Sequence, residues 1–151
     1  MEKDYFKGKR VLVMGLGKFG GGLDSALFAC KSGAKVTVTD LAQPEVLTAT
    51  LEDLAGFNVD YRLGEHRQED FLNTDIVIVN PAVPPESKYI DIAQKAGKLI
   101  TSQIEIFFHL CPASIVGITG ANGKSTTTAL TAHLLKPVSY THLTLPTTPY
   151  V

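Results

Sequence analysis

What most constrains this chain is the alternation of short apolar runs with stretches of helical spacing. Val11-Leu12-Val13-Met14 is the length of a buried strand and ends in glycines. Residues 21–32 then bring Leu23, Leu27, Phe28 and Cys30 back at roughly helical intervals, with Gly33 placed to end the helix. The pattern recurs: residues 35–40, 59–63, 75–79, 98–100 and 114–119 read as strands, and residues 45–54, 87–96, 102–110 and 125–135 as helices. Strands joined through helices pair in parallel, because the crossover returns the chain to the starting edge. Right-handed crossovers then give an α/β, doubly wound sheet. Ligands of such sheets bind beyond the C-terminal strand ends, which is where both glycine-containing turns fall.

Gly15-Leu16-Gly17-Lys18-Phe19-Gly20 fits G-x-G-x-x-G between a strand and a helix, the context that pattern needs. The first glycine permits a tight turn, the second admits a ligand to the backbone, and the third lets helix and strand pack closely. The start of the helix offers unpaired N–H groups and a positive dipole end, which suit a diphosphate. Asp40 ends the second strand, where an acid can hydrogen-bond a ribose. The turn points to a nucleotide-like ligand without selecting NAD; glycines serving only the turn are the plainer alternative.

The second turn carries stronger chemistry. The apolar run Ile115-Val116-Gly117-Ile118 leads into Thr119-Gly120-Ala121-Asn122-Gly123-Lys124-Ser125-Thr126. Backbone N–H groups of such a loop can converge on phosphate oxygens, with Lys124 neutralising them and the Ser125 hydroxyl available to Mg²⁺. Ser125 and Thr126 suit a helix cap in either case. The strict P-loop pattern has a glycine where Ile118 stands, so this is a variant loop.

Together these motifs resemble the Mur ligases, whose ATP loop reads Thr-Gly-x-Asn-Gly-Lys-[Ser/Thr]. Gly15-Leu16-Gly17, Asn80-Pro81-Ala82 and Ser102-Gln103-Ile104-Glu105-Ile106-Phe107 resemble the branch of the family that adds D-glutamate. The likeness covers residues 8–135. It implies a Rossmann-like UDP-substrate domain over residues 1–100, then the first strand, P-loop and helix of a truncated ATP-binding domain over 101–135. It also implies an ATP- and Mg²⁺-dependent ligase joining UDP-N-acetylmuramoyl-L-alanine to D-glutamate through an acyl phosphate, monomeric when complete. Carried over by position, Gly120, Asn122, Gly123, Lys124, Ser125 and Thr126 hold ATP, Lys124 is catalytic and Ser125 binds Mg²⁺. Leu16 and Gly17 line the UDP site, Lys18 and Phe19 lie over the diphosphate, Asp40 reaches the uracil and Ala82 lines the same pocket. Phe19, Leu41 and Asn80-Pro81-Ala82 depart from the family pattern, which has a small hydroxyl residue, a polar residue and Ser-Pro-Gly there.

Residues 136–151 are set apart as a non-native or disordered tail: from Pro137 onward the sequence has no Asp, Glu, Lys or Arg and resembles translated sequencing-adapter DNA. The family's remaining Mg²⁺ ligands and amino-acid-binding domain have no counterpart here, so the chain by itself is expected to be inactive and to expose apolar surface.

A net charge of −1, without a basic surplus, argues against nucleic acid as a partner. No apolar run approaches the roughly 18 residues of a membrane span, and the charged N-terminus lacks a signal-peptide core, so a cytoplasmic location is expected. Cys30 and Cys111 lack metal-ligand spacing and are expected to be buried, reduced thiols. His66 reads as a surface loop residue, Glu65, Glu69 and Asp70 as a solvated acidic patch, His109 and His133 as structural, and Glu105 as a local hydrogen-bonding group. The competing readings are an NAD-dependent oxidoreductase, a Mur ligase of other amino-acid specificity, and a nonenzymatic nucleotide-binding fragment.

Overall fold

The computed structural model describes residues 5–17 and 20–136. Lys18, Phe19 and the proposed 136–151 tail, apart from Lys136, lie outside the described residues. The chain divides into two units, residues 1–112 and 113–151.

In the first unit the strands are β1 (Arg10–Met14), β2 (Lys35–Asp40), β3 (Val59–Leu63), β4 (Ile76–Val79) and β5 (Leu99–Thr101). They form one parallel sheet in the order β3-β2-β1-β4-β5. The helices are α1 (Gly21–Lys31), α2 (Thr48–Leu54), α3 (Gln68–Leu72), α4 (Lys88–Lys95) and α5 (Gln103–Leu110). β1 is central, and its alternate residues feed two separate cores. Val11 and Val13 pack with Val36, Val38, Ile76 and Ile78 beneath α1, α2 and α5. Leu12 and Met14 pack with Val77, Phe71 and Ala93 beneath α3 and α4. Period-two alternation in a sheet covered on both faces makes every β1 side chain from Val11 to Met14 a core residue. Each such burial contributes about 1.5–3 kcal/mol.

The doubly wound α/β sheet expected from the sequence is therefore present, with differences of physical origin. The helix expected over 45–54 is split: a 3₁₀ turn (Pro44–Val46) precedes α2, and between them Leu47 leaves helical geometry at φ −110° and is buried in the first core. α3 was not foreseen. It is a five-residue helix whose single buried residue is Phe71, too short to show a period. It also draws Asp70 out of the expected solvated patch: the Asp70 side chain is 17% exposed and lies 3.8 Å from Arg62 Nε. α5 begins with Ser102 and Glu105 in a reciprocal capping box, the local role expected of Glu105. Ile106 and Leu110 carry α5 into the first core, so by packing the first unit runs to Pro112, beyond the residue-100 boundary set by the motifs. His109 sits against the Tyr5 ring at 5.0 Å, a structural place. Cys30 and Cys111 are half-buried, not fully buried. Burial pushes the Cys30 thiol pKa up.

In the second unit the strand expected over 114–119 does not form. An extended segment is held by a lateral neighbour, and no strand among the described residues pairs with this one. Ile115 and Val116 stay 42% and 72% exposed. The helix expected next is present as α6 (Lys124–Leu135). No helix among the described residues is long and apolar enough to cross a membrane.

The close-packing glycine also differs from expectation. A Cβ on Gly20 would meet nothing nearer than Asp24 at 3.7 Å, whereas one on Gly22 would lie 2.2 Å from Gly15 O and 2.3 Å from Leu16 O. Because the obstacle is backbone, Gly22→Ala is expected to destabilise the chain by about 3 kcal/mol, the upper end for forced overpacking. Gly56→Ala, where a Cβ meets open space, stays within about 0.5 kcal/mol. Urea unfolding of the two variants checks this.

At the opposite end of the sheet Arg10 and Asp75 clamp β1 to β4. Asp75 accepts from the Arg10 backbone N–H at 2.8 Å and from Nη2 at 2.6 Å. These hydrogen bonds pull the Asp75 pKa down to about 2. A folded pKa below the unfolded one gives stability that is present above about pH 4 and is lost as pH falls toward 2. Asp75→Asn is expected to flatten the acid limb of a thermal-melting pH series between pH 4 and 2; an unchanged limb would exclude this pair as its source.

Candidate functional site

The strand order places β1 between β2 and β4, with α1 covering one face of the sheet and α4 the other. The crossovers diverge there, and divergence leaves a crevice at the C-terminal strand ends. A cleft of about 510 Å³ occupies it, its wall including Gly15, Gly17, Asp40, His66, Ala82 and Tyr89.

The floor is the first glycine turn. Gly15 and Gly17 adopt φ of +86° and +67°, which side chains other than glycine rarely tolerate. A Cβ on Gly15 would lie 3.0 Å from Asn80 Cβ, so the turn is wedged against the end of β4. The end of β2 holds it from the other side. Asp40 Oδ2 accepts from the N–H groups of Leu16 and Gly17 at 2.8 and 3.0 Å, and Oδ1 accepts from Ala42 N–H at 2.8 Å. Thr50 of α2 donates to Gly17 O at 3.3 Å. Asn80 Oδ1 accepts from Ala82 N–H at 3.0 Å and shapes the turn after β4.

Of the residues expected at the UDP site, Gly17, Asp40 and Ala82 line this cleft. Leu16 does not: its side chain is fully buried in the first core, and it contributes only the N–H given to Asp40. Lys18 and Phe19 lie outside the described residues. Asp40 faces the cleft but also grips the turn, a task that spacing alone did not suggest.

His66, read from sequence as a surface residue, is half-buried in the cleft wall. Its Nδ1 is 2.7 Å from Thr39 Oγ1, and its ring stands edge-on to Phe71 and Tyr89, which stack on each other 5.1 Å apart. Burial lowers the His66 pKa and the nearby Asp40 charge opposes that shift. Asn80, part of the Asn80-Pro81-Ala82 segment singled out in the sequence, also lines the cleft, and Lys88 and Tyr89 reach it without a sequence signal, because loops bring them together only when the sheet forms.

In the second unit Gly120 and Gly123 take φ of +154° and +78°. Gly123, not Ser125 or Thr126, is the N-cap of α6; its left-handed backbone turns the chain into the helix without a side-chain cap. Ser125 and Thr126 lie inside the first turn and are exposed. Lys124 folds back over the loop, donating from Nζ to Gly120 O at 2.7 Å and Ala121 O at 3.3 Å. The residues fit a phosphate group: a 12-residue helix opens under a left-handed glycine, and an ammonium stands at its mouth. Among the described residues no three His, Cys, Asp or Glu gather into a metal site.

Asp40→Ala removes a charged acceptor from three N–H groups at once and is expected to destabilise the first unit by about 2 kcal/mol, with Asp40→Asn costing less. Denaturant unfolding of both variants measures the difference, and equal stability would show that the turn holds itself.

Residues 9–102 match the family described as Mur ligase MurD-like, N-terminal domain. The chain is similar to UDP-N-acetylmuramoylalanine–D-glutamate ligase of Roseiflexus sp. (strain RS-1), 53% identical over 129 residues that make up 85% of this chain and 28% of that protein. It thus spans little more than a quarter of that relative's length. Among solved structures, UDP-N-acetylmuramate:L-alanyl-gamma-D-glutamyl-meso-diaminopimelate ligase from Neisseria meningitides has a TM-score of 0.58 at 19% identity, covering 85% of this chain and 40% of that one. The precorrin-2 dehydrogenase SirC has a TM-score of 0.53 at 17% identity, covering 89% and 68%. A ligase and a dehydrogenase share this sheet, so structural likeness shows the fold alone, and sequence separates the families. On that ground the chain belongs to the Mur ligase family and carries its MurD-like N-terminal domain.

Proposed function

We propose that this chain is the UDP-substrate-binding and ATP-loop portion of a cytoplasmic, ATP-dependent ligase that adds D-glutamate to UDP-N-acetylmuramoyl-L-alanine in peptidoglycan synthesis. The observation that carries the reading is the pairing, in one sequence similar to such ligases, of a switch-point cleft with a Thr-Gly-x-Asn-Gly-Lys-Ser loop.

In the cleft, the donors available to a diphosphate are the first N–H groups of α1, since Leu16 and Gly17 give theirs to Asp40. Gly17 keeps the approach open: a Cβ there would meet only Asn80 Nδ2, at 3.7 Å. Asp40 and Ala82 flank the uridine end. In the loop, Lys124 exchanges two neutral carbonyls for phosphate oxygens. One such charge pair at 4 Å is worth about 4 kcal/mol at an effective dielectric near 20. Gly120, Asn122, Gly123 and Thr126 would shape the N–H cradle, and Ser125 would offer its hydroxyl to Mg²⁺. ATP supplies the phosphoryl group that activates the substrate carboxylate for amide formation. Amide formation also requires an amino-acid site and further metal ligands.

In the complete protein, Lys124→Ala is expected to abolish turnover while leaving the melting temperature within about 2 °C, as for a loop-end substitution outside the core; normal activity would remove the phosphate role of the loop. Titration calorimetry of the chain with UDP and with NADH separates the ligase reading from an oxidoreductase: UDP is expected to bind, NADH is not.

A further inference from the structure

The imidazole of His66 is held in one orientation without using both of its nitrogens. Thr39, fully buried near the end of β2, has one hydroxyl proton and two neighbours, Glu65 O at 3.2 Å and His66 Nδ1 at 2.7 Å. A carbonyl can only accept. Both contacts are satisfied at once only if Thr39 donates to Glu65 O and accepts from the His66 Nδ1–H. The neutral ring then carries its lone pair on Nε2. The ring stands edge-on to Phe71 at 6.1 Å and to Tyr89 at 5.2 Å. Nε2 makes no hydrogen bond among the described residues. It is not sealed off either, since the one occluded, unpartnered side-chain polar atom among them is Asp70 Oδ2. His66 and Asp40 both line the cleft, so an accessible acceptor stands in its wall.

We propose that His66 is a specificity-determining residue of this cleft, its Nε2 accepting a hydrogen bond from a donor of the bound nucleoside. This rests on the reading that the cleft takes the uridine diphosphate moiety. Two donors of a uridine share the required chemistry, a ribose hydroxyl and the N3–H of the base. Asp40, with three backbone N–H groups already on its carboxylate, leaves room for a second acceptor on the ligand.

The test titrates the full chain and its His66→Phe variant with UDP, 2′-deoxy-UDP, 3′-deoxy-UDP and N3-methyl-UDP. One neutral hydrogen bond corresponds to about a three- to tenfold change in Kd. The variant is expected to lose that factor for UDP. One analogue is expected to bind wild type correspondingly more weakly, and that penalty vanishes in the variant. A deoxy analogue identifies the ribose as the donor, and the N3-methyl analogue the base. Penalties that persist unchanged in the variant, or analogues that all bind wild type like UDP, overturn the proposal while leaving the UDP reading intact. A loss of Tm with unchanged analogue ratios shows a structural role and also overturns it. If wild type binds no UDP, the reading of the cleft itself fails, and this inference with it. Should His66→Phe not fold, His66→Leu suits the same apolar surroundings and is read by the same ratios.

Discussion

The cleft depends on the grip of one carboxylate on one turn. Where β1 ends, the chain must reverse into α1 within a few residues and leave N–H groups pointing upward. Asp40 gathers two of those groups from the adjacent strand and a third from its own following loop. Hydrogen bonds to a charged acceptor are stronger than neutral ones, and here they cross between strands. From the other side, Asn80 leaves no room for a side chain on Gly15, where a Cβ would lie 3.0 Å from Asn80 Cβ, so the ends of β2 and β4 bound the turn between them.

The helix after the turn adds a second constraint. α1 comes so close to the turn that Gly22 has no space for a methyl group, which brings the dipole end of the helix down to the cleft floor. Close approach, positive φ and the acid from β2 serve one geometry: a shallow crevice with backbone donors at its base. The same geometry serves dehydrogenases, which explains why structural likeness extends to both classes. What such a sheet does is decided by the loops and side chains placed on it, not by the sheet itself.

Much of the fold was legible because each strand is a short apolar run and each crossover has helical spacing. β1, β2, β3 and β4 fall within a residue of their expected spans. What was not legible is short or context-dependent. α3 is one turn and a half of mostly polar residues around Phe71, and only packing beneath the sheet explains it. The strand expected over 114–119 has the right composition, but a strand is a pairwise structure and its sequence says nothing about whether a partner is present.

The sequence by itself determined the parallel α/β class, the two glycine turns and the residues that carry the family likeness, because these depend on local composition and spacing. Only the tertiary structure decided that Gly22, not Gly20, is the glycine of close approach, that Asp40 holds the turn as well as facing the cleft, and that His66 belongs to the cleft wall. The Asp40 and His66 contacts join segments far apart in the chain, and the Gly22 contact depends on how closely α1 packs on the turn after β1. Their distances are set by strand register and helix packing, which a linear pattern does not encode.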